Sequence, residues 1–131
     1  MALIDEALRS MLVGDSGVTA IVSTRVFNGQ VPQNTALDAL SFSRITAQRS
    51  LAHHGPTAMT DSIFQISCWA SSLLNAKNLA AAVRRLLHGF RGTVATVEIG
   101  IARVINEIDS FDPETGVYLI AVEAALLHRE T

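Results

Sequence analysis

The apolar positions of the chain follow two different periods. From Ala2 to Val13 the side chains of Leu3, Ala7, Leu8, Met11 and Leu12 recur at three- and four-residue steps, the spacing that lines one stripe of an α-helix. Gly14 is placed to end that helix. Asp15 or Ser16 can cap a second, shorter one through Val18, Ile21 and Val22, before Arg25, Val26 and Phe27 turn extended. The run NGQVPQNTALDA joins an Asn-Gly pair, a proline and amide side chains, and reads as an irregular loop. Two-residue alternation then takes over. Leu40 to Ala47 (LSFSRITA) and Ser62 to Ala70 (SIFQISCWA) predict two strands, the second setting Phe64, Ile66 and Cys68 against Gln65 and Ser67. Between them QRSLAHHGPTAMTD is longer than a tight hairpin needs, and its His-Gly-Pro stretch breaks both periods, so it predicts a loop projecting from the body.

The helical period returns in SSLLNAKNLAAAVRRLLHGF, where Leu73, Ala76, Leu79, Ala80, Val83, Leu86 and Leu87 form the apolar face, Ser71 or Ser72 caps the start and Gly89 ends it. VATVEIGIARVINEID then predicts a long strand, with Val97, Ile99, Ile101, Arg103 and Ile105 alternating with Glu98, Gly100 and Ala102. Asp112, Pro113 and Gly116 supply a turn, and VYLIAVEAALLHR returns antiparallel. Together these elements predict an α+β fold in a single domain over residues 1–131: a four-stranded, mainly antiparallel sheet of two hairpins, with one long helix packed on it and N-terminal helices. The last strand is apolar on both sides, Tyr118, Ile120, Val122, Ala124 and Leu126 on one, Val117, Leu119, Ala121, Ala125 and Leu127 on the other, broken only by Glu123. The long helix is expected to shield one face and the N-terminal helix with loops part of the other. Apolar surface left over points to a partner.

Composition sharpens that last point. Of 131 residues, 49% are hydrophobic and 17% charged, an apolar balance for a domain whose surface is large relative to its volume, which points to self-association. A formal charge of -2 offers no broad electrostatic footprint for nucleic acid. Cys68 is the one cysteine, so no intramolecular disulfide forms and a reducing compartment fits. Asp5 and Glu6 stand where a signal peptide needs a basic start, and no apolar run is long enough to span a bilayer, so no membrane association is expected.

Candidate chemistry is sparse. His53 and His54, with Asp61 downstream, are the nearest approach to a metal set, but adjacent residues on an extended chain point opposite ways and no third ligand has suitable spacing. His88 is expected as a helix C-terminal charge and His128 as a surface residue, since no nucleophile motif accompanies either. Cys68 shares a strand face with Phe64 and Ile66, which predicts a buried, inert thiol. Trp69 points to the opposite face, either beneath a helix or as an interface anchor. HGFRGT follows a helix rather than preceding one, so its glycines cap and turn the chain instead of cradling phosphate. Arg84, Arg85 and Arg91, and Arg44 and Arg49 near the projecting loop, form solvated basic groups or a lining that DNA passes without being read. No catalytic site, cofactor or metal is expected.

In their order, VTAIVSTRVFNGQVPQ, FQISCWA leading into NAKNLAAAVRRLLHGFRGT, and DSFDPETGVYLIAVEAALLHRE give the chain, over nearly its full length, a resemblance to the tail-completion (tail terminator) family of long-tailed bacteriophages and prophage elements. The motifs are short and structural, and specificity lies in their combination. The resemblance implies a non-enzymatic virion protein assembled in the host cytoplasm: a homo-oligomer, usually a hexameric ring. Such a ring binds the last layer of the tail tube protein, stops tube growth, and presents a head-tail joining surface to the head-completion or connector protein, while DNA passes through its lumen without sequence-specific binding. Tube-facing and lumenal surfaces of such proteins come from loops, which places Arg49, His53 and His54 first, and Arg84, Arg85 and Arg91 as alternatives. Rival readings are a head-completion or stopper protein of the connector, and a small metal-dependent enzyme using His53, His54 and Asp61.

Overall fold

A computed structural model describes residues 3–32, 35–49 and 59–129, which form three helices and six strands: α1 (Ile4–Gly14), α2 (Ser16–Val22), β1 (Val26–Asn28), β2 (Ala39–Arg49), β3 (Met59–Ala70), α3 (Leu73–Leu87), β4 (Gly92–Val94), β5 (Val97–Asp112) and β6 (Val117–Arg129). The strands make one sheet in the order β1-β2-β3-β6-β5-β4. Only the β1–β2 pair is parallel; β2–β3, β3–β6, β6–β5 and β5–β4 are antiparallel.

The helices start and stop where side chains can satisfy their ends. Asp15 Oδ2 accepts from the Val18 amide at 3.0 Å, and Ser72 Oγ from the Asn75 amide at 3.2 Å, each replacing a bond that the first helical turn lacks. Past the C-cap His88, Gly89 sits at φ 85, left-handed backbone that a Cβ would strain, and its amide donates to the Ala102 carbonyl on β5.

The sheet is wider than the four strands expected, for two local reasons. Ala95 and Thr96 both take positive φ (49 and 68), as the central pair of a two-residue hairpin loop requires, so the segment expected as one strand from Val94 folds back into β4 and β5 with Val94 opposite Val97. Ala-Thr lacks the Asn-Gly signature of such loops. At the other edge, the extended Val26–Asn28 docks parallel on Leu40–Phe42, too short to be recognised as a strand from alternation. The simple alternation expected in β5 also fails. Register shifts between Ile99 and Ile101 and between Val104 and Asn106 reset its phase, so Val97, Ile99 and Ala102 are buried while Ile105 is half exposed.

All three helices lie on one face of the sheet. A single core joins Ala7, Leu8 and Leu12 of α1, Val18 and Val22 of α2, and Leu79, Val83 and Leu87 of α3 to Phe42, Phe64, Ile66, Ile120, Val122 and Leu126 of the sheet. Phe42 and Phe64 meet near its centre with ring centroids 6.3 Å apart. This corrects the expectation that the N-terminal helix shields part of the second face. That face is covered by no described helix or strand: Ala121 and Ala125 are buried on it by flanking side chains of the sheet, and Ile63, Trp69, Leu119 and Leu127 are half-buried.

Candidate functional site

Pairing across β2, β3, β6 and β5 sets side chains into rows on the uncovered face. Ala39, Trp69, Leu119 and Ser110 occupy successive positions of one row, and Ser41, Ser67, Ala121 and Ile108 those of the next. At this end of the sheet the β1–β2 loop rises on one side and the β5–β6 turn on the other. They enclose a groove of about 690 Å³ whose floor is Ser41, Ser43, Gln65, Ser67, Trp69 and Leu119. Trp69 Nε1 donates to Ser41 Oγ at 3.1 Å, which fixes the indole against the floor. Of the two readings left open for Trp69, the fold removes the one beneath a helix.

One wall is anchored by Asp38. Its carboxylate accepts from the Ser71 amide at 3.2 Å and from Asn75 Nδ2 at 3.1 Å, and its carbonyl accepts from Arg25 Nε at 2.7 Å. These bonds tie the end of the β1–β2 loop to the corner between β3 and α3. At the other wall the Gly116 amide donates to the Asp112 carbonyl at 2.8 Å, and Phe111 and Tyr118 pack with ring centroids 4.5 Å apart. The groove therefore has ordered sides, an apolar strip of Trp69, Leu119 and Val117, and small hydroxyls beside it. It can bind an apolar surface with a few hydrogen bonds. No described residue in it combines a nucleophile with a base.

Of the residues picked from sequence, the described ones, Arg49, Arg84, Arg85 and Arg91, do not line the groove. Arg49 ends β2, opposite Thr60. His53 and His54 lie outside the described residues. Arg84 is in the last turn of α3 and pairs with Glu107 at 2.6 Å; Arg85 stands exposed on the same helix beside Asp15 and Ser16; Arg91 is exposed between α3 and β4. Asp61 pairs with Arg103 at 3.3 Å, and among the described residues no group of His, Cys, Asp and Glu is arranged to hold a metal ion.

One histidine differs from expectation. His128 is not at the surface but buried: register places it between Thr60 on β3 and Ile99 on β5, on the helix-covered side, with Nε2 2.7 Å from Ser62 Oγ. Both side chains are closed to solvent, so the pair is a core hydrogen bond and not a reactive dyad. His88 caps α3 at its C-terminal end, and its ring Nδ1 accepts the Val104 amide at 3.1 Å, a hydrogen-bonded link to β5. Cys68 is buried as expected. Loss of solvent, and after it the charge of Glu107, push its thiol up to about 12, so it remains protonated and unreactive at neutral pH.

The groove residues, Trp69 apart, were missed in the sequence because no strand carries more than three of them. Alternating Ser41 and Ser43, and Gln65 and Ser67, marked a second face on each strand; only the pairing of β2, β3 and β6 joins these into a floor.

Comparison with curated proteins yields no match. Among solved structures, a chain from the virion of a native gene transfer agent particle superposes with a TM-score of 0.75 at 19% identity, over 97% of this chain and 95% of that one, a likeness of fold. The family described as tail completion protein gp17 matches residues 6–128. A match over that span settles the family: the chain belongs to the tail completion proteins, structural components of the virion.

Proposed function

We propose that the chain caps the tail tube as a ring, ends tube polymerisation and forms the head-tail joining surface. The observation that carries this reading is the uncovered sheet face with its ordered, apolar groove, in a member of a tail completion family. An apolar strip such as Trp69, Leu119 and Val117 is costly to leave in water, and a ring of copies on a tube end covers such surfaces. The likeness to a chain of a gene transfer agent virion fits a part built into a particle. The role needs no turnover, metal or cofactor. Partners are other copies of the chain, the tail tube protein and the connector, with DNA crossing the lumen unread. Arg49, His53 and His54 are proposed for the tube side or lumen, and Arg84, Arg85 and Arg91 as alternatives, of which Arg85 and Arg91 are the more available because Arg84 is paired.

Electron microscopy of particles from a host lacking the gene tests this directly. Overlong tubes without attached heads are expected. Tails of normal length beside leaking heads would instead assign the chain to the capsid side as a stopper.

A further inference from the structure

Among the described residues the outer strands of the sheet end early and leave two long backbone edges without a strand neighbour. β1 pairs with β2 only at Leu40–Phe42, and no described strand lies beside Ser43–Arg49. At the other side β4 pairs with β5 only at Val97–Ile99, and Gly89, Phe90 and His88 continue the contact to Ala102 and Val104. Beyond that point β5 has β6 as its one described strand neighbour through Asp112. The Glu107 amide is held by the Asn106 side chain at 3.0 Å. Unpaired strand edges of this length are templates for another strand.

The two edges are complementary. Ser43–Arg49 carries Arg44 and Arg49 and no acid; Asn106–Asp112 carries Glu107, Asp109 and Asp112 and no base. Of these acids Glu107 and Asp109 also pair within the copy with Arg84 and Lys77 of α3, half in solvent, so that Arg44 of the next copy would share Asp109 with Lys77. Ile45, Ile108 and Phe111 on these stretches, and Ile105 just before the second, are about half exposed. Direction agrees as well. From the pairing, β2 and β5 run in opposite senses, so two copies set side by side with the same sheet face toward a common axis meet β5 against β2 as an antiparallel ladder.

We infer that copies of this chain join head to tail by pairing the open edge of β5 with the open edge of β2 of the next copy, continuing one sheet around the ring. Resting on the ring reading above, this names the surface that builds the ring. Placing Arg44 opposite Asp109 puts both on the helix-covered side of the joined sheet. The β2 irregularity at Ile45 is absorbed, so that Thr46 falls beside Ile108, Ala47 beside Glu107 and Gln48 beside Asn106, each pair on a shared face. Because the two edges differ, the contact is heterologous: it closes into a ring where the rotation permits and otherwise propagates.

Single-cysteine cross-linking of the full chain tests it, since Cys68 is buried and silent. The double variant T46C/I108C, treated with a short thiol cross-linker at high protein concentration and on assembled tails, is expected to give a ladder of species above the dimer. A mixture of T46C and I108C chains gives dimers only, and each variant alone gives none. R44E in the double-cysteine chain abolishes the ladder, and adding D109R restores it. Dimers from T46C alone, or the absence of a ladder both at high concentration and on tails, overturn the inference. Rings seen on tails without the 46–108 link sink the edge pairing and leave the ring reading standing. A ladder from a chain whose deletion leaves tail length and head joining unchanged does the reverse.

Discussion

At the scale of single residues, Cys68 gives the cleanest test of the core. Its thiol is held by burial, with a smaller contribution from Glu107, at about 12 against an ordinary 9.0. The folded state therefore keeps a proton that the unfolded chain releases. The stability this contributes is complete below about pH 9 and is lost as pH rises toward about 12. Urea midpoints followed from pH 8 to 11 are expected to fall more steeply for the native sequence than for Cys68→Ala, while maleimide labels the native protein only under unfolding conditions. Equal alkaline slopes would show the thiol to be less desolvated than its packing implies. The environment of Cys68 was legible in the sequence because it depends on alternation within one strand, Phe64, Ile66 and Cys68 together. That of His128 was not, because its burial depends on where β3 and β5 stop beside it.

The same division holds for whole elements. α1, α2, α3 and the pair β5–β6 announce themselves through period, caps and turn residues, all local signals. β1 and β4 do not, since their three-residue lengths carry no period and the β4–β5 loop uses Ala95 and Thr96 at positive φ. Placing every helix on one face is a property of the connections and is invisible in any one segment. Once α3 lies over β5, it makes two ion pairs with it, Lys77 to Asp109 at 2.8 Å and Arg84 to Glu107 at 2.6 Å. Both are largely in solvent, where such pairs contribute about 0–1 kcal/mol and salt screens them. The Asp15 cap, a part-buried hydrogen bond at 3.0 Å, is worth about 1 kcal/mol. Asp15→Ala is thus expected to lower the unfolding free energy more than Lys77→Ala, and only the Lys77→Ala effect should fade at high salt. Chemical denaturation at two ionic strengths reads the difference, and the opposite ranking would make the α3–β5 ion pairs the stronger element.

For the molecule as a whole, the decisive asymmetry is a sheet that the described helices pack on one side only. Phe64 and Trp69 lie close together on β3 but on opposite faces: Phe64 is fully buried against the helices, Trp69 is half-buried on the groove floor. If the uncovered face exists to be covered by another molecule, their substitutions separate stability from assembly. Phe64→Ala empties the centre of the core and is expected to cost about 3–5 kcal/mol, giving little folded protein. Trp69→Ala removes an indole that is partly in water and held by one hydrogen bond to Ser41, so the isolated chain should keep its fold and most of its thermal stability. Its cost should appear when the face is closed, because a large aromatic at the centre of a groove is the kind of anchor that carries association energy. Complementation of a strain lacking the gene is then expected to yield soluble Trp69→Ala protein with few correctly terminated, head-bearing tails, whereas Trp69→Phe, which keeps the aromatic bulk, should restore most of them. Full complementation by Trp69→Ala would mean that the groove faces solvent in the finished particle, and would move the assembly surface to the strand edges alone.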